Sequence, residues 1–339
     1  MKDTIGLCLI GAGRAGMIHG RNFASRVPHA KMVAVSDTVE ESARSAAGEL
    51  GIDTWYTDYR QALENPAVDA VIVVTPTKFH HDIVIEAAGA GKHILCEKPM
   101  AMTREECQGM IDAVKKNKVK LQIGFMRRFD ANFRRAKEIV DSGEIGAVVS
   151  VKSLTRGPST PQEWMYDIHK SNGPLAEVNS HDIDTLRWFT GSEAASLYAM
   201  AGNYRCEAAR EQYPDFYDTV LMNVRMKNGM MGNIDGAQGV QYGYDARVDI
   251  LGTHGSLHIG GLMGGTTLTY TKDHRMSADV IRSWTNLFYE AYVNEDISFI
   301  GAIREDREPE VCGLDGMMAV DIVRAGNESI QQGQIIYLS

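Results

Sequence analysis

Apolar residues recur along this chain in two different grammars, and the change between them falls near Gly124. Before it, short continuous apolar runs alternate with stretches whose apolar positions return every three to four residues. That is the pattern of strands covered on both faces by helices. Ile5-Gly-Leu-Cys-Leu-Ile10, Lys31-Met-Val-Ala-Val-Ser36, Asp69-Ala-Val-Ile-Val-Val74, His93-Ile-Leu-Cys96 and Lys120-Leu-Gln-Ile-Gly124 predict strands, with a shorter one near Thr54 to Tyr56. Helices are predicted up to about Arg26, from Glu40 to about Leu50, through 58–63, and from Thr103 to Lys118, where Thr103 is a suitable N-cap and Glu105 and Glu106 suit the first turn. The alternation predicts a doubly wound parallel α/β sheet of Rossmann type.

After Gly124 a helix is predicted to about Ser142, and strand-like runs then dominate at 147–154, 194–201, 219–226, 230–237, 247–252 and 256–259. Turns at Asn228-Gly229 and His254-Gly255 join some of them as antiparallel pairs. Helices close the chain at 286–303 and 314–331, before a last short run at 335–338. This half predicts an α+β domain with a mostly antiparallel open sheet. The division expected is 1–125 for nucleotide binding and 126–339 for substrate binding and oligomerisation.

Chemistry enters at the predicted strand ends. The first strand runs into Gly11-Ala12-Gly13-Arg14-Ala15-Gly16 and then a helix, the context in which a GxGxxG pattern means dinucleotide binding. The second strand ends on Asp37, about 20 residues past the last glycine, where an acid binds ribose hydroxyls and repels a 2'-phosphate. NAD is therefore expected rather than NADP. The third long strand ends in Thr75-Pro76-Thr77 and His80-His81. Adjacent histidines rarely aim at one ion, so no metal is expected, and His80 is placed near the nicotinamide end instead. The next strand delivers Glu97-Lys98-Pro99 to the same sheet edge. By itself that lysine reads first as a surface group in a loop.

A second informative stretch is Gly173 to Trp188. Ile183, Leu186 and Phe189 recur at helical spacing, which puts Glu177 and His181, four apart, on one side of a helix or of its entrance. A carboxylate and an imidazole so placed can form an acid/base pair, and they can equally be an ordinary helix-face pair. Asp182 and Asp184 read as solvated charges, Asp184 lying on the His181 side.

Composition narrows the partners. Across 339 residues the formal charge is -9, with a pI near 5.6, which argues against nucleic acid and anionic membrane. The five cysteines are scattered and never form a CxxC pair, so neither a disulfide framework nor a cysteine-rich zinc site is expected. With no apolar run of membrane-spanning length and no leader-like start, a cytoplasmic location is expected.

Taken together, the glycine turn, Asp37, Thr75-Pro76, Glu97-Lys98-Pro99, Gly124-Phe125-Met-Arg-Arg-Phe-Asp130, Gly173 to Trp188, and the run from Tyr242 to Gly255 resemble the Gfo/Idh/MocA oxidoreductases over essentially the whole chain. The resemblance implies that Lys98 lies between nicotinamide and substrate, with His181 and its carboxylate partner completing the site. Glu177 stands where that family usually has aspartate, and Met126 where asparagine is common. Within the family the resemblance extends to inositol dehydrogenases, which implies oxidation of a secondary ring hydroxyl of a cyclitol to a ketone. It also implies contacts to substrate from Arg127, Tyr242 and Tyr244. A sugar or glycoside oxidised at one ring position, such as C3, is the alternative. Trp164 and Asp167, in the stretch from Arg156 to Lys170, resemble a carbohydrate pocket in residue type, though the stretch also reads as a surface loop. NAD-dependent glycoside hydrolysis by transient oxidation and a silent sugar or nucleotide sensor are further readings, and a homo-oligomer, dimer or tetramer, is expected.

Overall fold

The structure, a computed structural model, describes residues 2–338. Two compact units divide the chain. The first runs to Phe129 and takes up Glu290–Asp321 as well; the second comprises Asp130–Tyr289 and the residues from Ile322 onward.

In the first unit, β1 (Ile5–Ile10), β2 (Ala30–Ser36), β3 (Trp55–Tyr56), β4 (Ala70–Val73), β5 (His93–Glu97) and β6 (Leu121–Gly124) form one sheet in the order β3-β2-β1-β4-β5-β6. Every neighbouring pair is parallel. The strand order reverses direction beside β1, and the crevice at the carboxyl ends there is where such sheets bind ligands. All residues of β1 and β4 are buried, as the continuous apolar runs require. The core on one face joins Leu7, Leu9, Val35, Ile72 and Leu95 to Phe23 from the helix Arg14–Ser25. Phe299, Ile300 and Ile303 complete it from the helix Tyr289–Arg304, some two hundred residues away along the chain. Helix Arg104–Asn117 starts as expected, with a capping box in which Thr103 Oγ1 accepts from Glu106 N at 3.2 Å and the Glu106 carboxylate accepts from Thr103 N at 3.2 Å.

The second unit carries a seven-stranded sheet. Its members are β7 (Val148–Arg156), β8 (Ala194–Gly202), β9 (Thr219–Met226), β10 (Met231–Ala237), β11 (Asp245–Gly252), β12 (Ser256–Gly260) and, after a further two-stranded ribbon of β13 (Met263–Tyr270) and β14 (Met276–Val280), β15 (Ile336–Tyr337). The order is β12-β11-β7-β10-β9-β8-β15. The pairs are antiparallel except β7 with β10, so the sheet is mixed and mostly antiparallel. Burial along β9 alternates strictly from Val220 to Met226, the mark of a sheet covered on one face. The cover includes helix Ser180–Thr190, which packs against β7 and β10. Two glycines of β10 allow the close approach. A Cβ on Gly232 would sit 2.0 Å from Leu186 Cδ2, and one on Gly236 would sit 2.1 Å from Asn179 Oδ1.

Two features differ from the hydrophobic pattern. The ribbon β13/β14 was not foreseen, because all eight residues of β13 are exposed and none carries the burial signal that pattern reading depends on. The single helix expected over 286–303 is two, Trp284–Leu287 and Tyr289–Arg304, separated at Phe288. Among the described residues no helix is long and apolar enough to cross a membrane.

Candidate active site

At the carboxyl edge of the parallel sheet each glycine of the first turn has its own steric reason. Gly11 has φ +99°, and a Cβ there would lie 2.6 Å from the Val74 carbonyl oxygen, so only glycine makes this turn. A Cβ on Gly16 would lie 2.0 Å from Gly11 O, so its absence lets the helix seat against the turn. Gly13, between them, has open space where its Cβ would be. It is also the N-cap of helix Arg14–Ser25 and offers no capping side chain. The helix N-terminus therefore presents backbone N–H groups beside a vacancy in the steric envelope, which fits a pyrophosphate. Asp37, one residue past β2, accepts from Ala12 N at 2.9 Å and from Val39 N at 2.9 Å. The acid thus ties the glycine turn to the end of β2.

The next two strand ends are joined by a histidine. His80 is 1% exposed. Its Nδ1 is 2.9 Å from the Pro99 carbonyl oxygen and its Nε2 is 2.7 Å from that of Thr75. Burial holds its pKa below the ordinary value. Through its two ring nitrogens His80 staples the Thr75-Pro76-Thr77 loop to the loop after β5. Neighbouring His81 instead bonds Asp82 at 2.8 Å, so the two histidines do not share a target. Thr77 is buried, and Thr75 Oγ1 is buried with no hydrogen-bond partner among the described residues. An orphaned hydroxyl at this edge fits a polar group of a bound dinucleotide.

Glu97 ends β5 and is buried, while Lys98 is half-buried. Glu97 Oε2 accepts the Lys98 backbone N–H at 2.9 Å, and the Lys98–Pro99 peptide is cis. A Cβ on Gly124, at the end of β6, would lie 2.9 Å from Glu97 Cδ, so that glycine makes room for the carboxylate. The other oxygen, Oε1, faces His19 Nε2 at 3.2 Å. His19 and its own partner Asp296 were not singled out from sequence. The available signal was a histidine one turn beyond the third glycine, on the helix face that turns back toward the sheet. Arg127, in the 3-10 turn Met126–Phe129, is 1% exposed.

In the second unit the helix expected around Ile183, Leu186 and Phe189 is present. Gly173–Glu177 forms a short helix that ends at Glu177, and Ser180–Thr190 begins three residues later. Glu177 and His181 therefore flank a helix entrance, the second of the two placements their spacing allows. His181 is 7% exposed, and its carbonyl accepts from Thr185 Oγ1 at 2.7 Å. The two aspartates expected to be solvated are buried instead, at 0% for Asp182 and 1% for Asp184. Asp182 accepts from Ser153 Oγ at 2.5 Å, Thr155 Oγ1 at 2.9 Å and Asn179 Nδ2 at 2.8 Å. These bonds fasten the entrance of the His181 helix to β7. Spacing along one helix could not reveal donors supplied by a strand thirty residues earlier. Asp184 has Arg187 within 3.9 Å. Replacing Asp182 with alanine removes three buried hydrogen bonds at once and is expected to cost on the order of 3 kcal/mol. Urea denaturation measures this, and an unchanged midpoint would show that the bonds carry no weight.

The remaining candidates are spread over the second unit. Trp164 Nε1 donates to Gln162 Oε1 at 2.8 Å. Asp167 caps the turn that follows it by accepting from His169 N at 3.1 Å, and it pairs with Lys170 at 2.7 Å. The Lys170 ammonium holds the Asp167 carboxyl below the usual carboxylate range. Tyr242 is half-exposed, with its hydroxyl donating to Asp245 Oδ2 at 3.2 Å. Tyr244 is 6% exposed and packs edge-on against Phe288, ring centroids 6.5 Å apart.

Residues 5–125 match the family model described as the oxidoreductase family with NAD-binding Rossmann fold, Gfo/Idh/MocA, and residues 133–258 match the C-terminal domain model of the same family. The chain belongs to the Gfo/Idh/MocA oxidoreductases. It is 34% identical over 338 residues to the scyllo-inositol 2-dehydrogenase (NAD(+)) of Bacillus subtilis, covering 100% of this chain and 97% of that one. Identity to the myo-inositol 2-dehydrogenase of Thermotoga maritima is 31%, with 97% of each covered. A crystal structure of the Lactobacillus casei scyllo-inositol dehydrogenase, with NAD(H) and scyllo-inositol bound, superposes with a TM-score of 0.90 at 26% identity, covering 98% of this chain and 99% of that one. This Gfo/Idh/MocA oxidoreductase thus has an NAD-binding Rossmann domain whose glycine turn is built as pyrophosphate binding requires, followed by the family's mixed-sheet domain.

Proposed function

We propose that this oxidoreductase oxidises a secondary ring alcohol of a cyclitol, an inositol first, to a ketone, with hydride leaving the carbinol carbon and a proton leaving its hydroxyl. The observation that carries the reading is the position of Lys98. It follows β5 at the carboxyl edge that holds the glycine turn, and its peptide is held by Glu97. Full-length similarity to inositol dehydrogenases supports the substrate class.

Bound NAD would supply the hydride acceptor, C4 of its nicotinamide. Gly11, Ala12, Gly13, Arg14, Ala15 and Gly16 would hold its pyrophosphate and Asp37 its ribose, with Thr75, Pro76, Thr77 and His80 lining the path to the ring. His181 takes the hydroxyl proton, and Glu177 favours the protonated imidazole that results. Lys98 donates to the same oxygen, stabilising negative charge as the carbinol hydrogen leaves. Arg127, Trp164, Asp167, Tyr242 and Tyr244 are the proposed contacts to the remaining hydroxyls and ring faces. The proposed division of labour is 1–125 for the cofactor and 126–339 for substrate and self-association, with Glu290–Asp321 packed in the first unit. Exposed Met200, Leu221, Met231 and Leu251 on the second sheet support a homo-oligomer.

The direct test is reduction of NAD, followed at the NADH absorbance, across inositols, hexoses and glycosides. We expect turnover with myo- or scyllo-inositol. Turnover with a glycoside and none with an inositol would replace the substrate class. No net NADH from any polyol would remove the dehydrogenase reading.

A further inference from the structure

Four ionisable side chains meet at the end of β5 in the first unit, and the scheme above uses only Glu97 among them. His19 comes from the helix after the glycine turn, Glu97 from the end of β5, and Glu295 and Asp296 from helix Tyr289–Arg304. His19, Glu295 and Asp296 are all 0% exposed. His19 Nδ1 lies 2.7 Å from Asp296 Oδ1, and Nε2 lies 3.2 Å from Glu97 Oε1. Tyr292 closes the edge of the imidazole at 5.4 Å between ring centroids. The second Asp296 oxygen accepts from Asn22 Nδ2 at 2.9 Å.

Glu295 stands apart. One atom each of His19, Glu97 and Glu295 lies within 4.8 Å of the others. Gln122 Nε2 donates to the Glu295 backbone carbonyl at 3.0 Å. Neither Glu295 carboxyl oxygen has a hydrogen-bond partner among the described residues.

Proton inventory decides what this cluster is. A neutral imidazole offers one N–H and one lone pair, and only the doubly protonated ring can donate to a carboxylate at each nitrogen, the arrangement His19 faces here. Burial opposes that charge, but Asp296 and then Glu97 outweigh it and hold His19 well above its ordinary pKa. Three ionised carboxyls would leave two net negative charges in a dry interior. Asp296 has two donors and Glu97 has His19 and the Lys98 N–H, whereas Glu295 has none. An ionised carboxyl with no donor is the costliest member to keep. Burial, followed by the charge on Glu97, pushes the Glu295 carboxyl well above the carboxylate range.

We propose that Glu295 is a neutral carboxylic acid at pH 7, and that it and the His19–Asp296 ion pair act as positioning residues for Glu97 and, through the Glu97-to-Lys98 backbone bond, for Lys98. His19 sets one oxygen of Glu97, and the other oxygen is then aimed at the peptide from which the lysine departs. The proton on Glu295 allows two acids to stand behind one strand end without mutual repulsion. This rests on the catalytic reading of Lys98.

The test is a double-mutant cycle on the holoenzyme with NAD and the best polyol substrate. His19→Gln is expected to lower kcat roughly tenfold or more, with KM for NAD within about twofold. If His19 acts through Lys98, the His19→Gln/Lys98→Met double variant is no slower than Lys98→Met alone. Fully additive losses would overturn the positioning role. A second measurement does not depend on turnover. The wild-type enzyme at pH 7 should show the infrared carbonyl band of a buried protonated carboxyl, and Glu295→Gln should lack it. Absence of that band in the wild type overturns the protonation of Glu295, as does a stoichiometric divalent metal in the purified protein, which would require Glu295 ionised. If Lys98→Met by itself keeps its turnover, the catalytic reading and the positioning role fall together, and the infrared band still decides the charge state of Glu295.

Discussion

Lys98→Met is expected to bind NAD as the parent enzyme does and to lose kcat by about 10²–10⁴-fold. Methionine keeps the length and much of the apolar stem but removes every donor, so the substrate oxygen loses its partner at the moment negative charge develops on it. The backbone bond from Lys98 N to Glu97 Oε2 at 2.9 Å does not use the side chain, and the half-buried position tolerates an apolar replacement. Folding and cofactor affinity should therefore survive. Single-turnover kinetics, together with NAD titration by fluorescence, separates the two effects. A variant with most of its turnover intact would return Lys98 to an ordinary loop residue.

The second large effect is expected at His181. His181→Asn should lower kcat by about 10²–10⁴-fold and also change the shape of the pH profile. In the parent enzyme the base must be unprotonated to accept the hydroxyl proton, so kcat falls as pH drops through its pKa. Without the imidazole that acid limb should vanish, and activity should rise toward high pH as free hydroxide takes over. Asparagine fits the buried site, where His181 is 7% exposed, better than a charged residue would. Glu177→Gln should keep the acid limb but move it to lower pH, because the imidazolium loses a stabilising negative charge. A His181→Asn enzyme with an unaltered profile would assign the base elsewhere.

Much of this molecule is legible in local pattern because its first half is built from strands buried on both faces. Continuous β-branched runs such as Ala70–Val73, bounded by polar residues, fit a covered central strand, and this one is buried throughout. The turn after β1 is legible for a different reason, since Gly11 at φ +99° and Gly16 against the Gly11 carbonyl tolerate nothing larger. The capping box at Thr103 and Glu106 is equally local, as both partners lie within one helical turn. The β13/β14 ribbon was not legible, because an exposed two-stranded element obeys no burial alternation.

Amino-acid order alone determined the doubly wound sheet and the nucleotide turn through short local runs, and the family through the conjunction of such runs along the chain. Tertiary structure alone decided which charged groups are dry and who neutralises them. Asp182 looked like a solvated helix charge until β7 supplied Ser153 and Thr155 as donors. Glu295 and Asp296 lie in a helix late in the chain, and only its return to the first unit sets them against His19 and Glu97. The physical reason is common to both. Hydrophobic periodicity reports which side of an element is covered, whereas the fate of a carboxyl depends on the donors that distant segments bring to it.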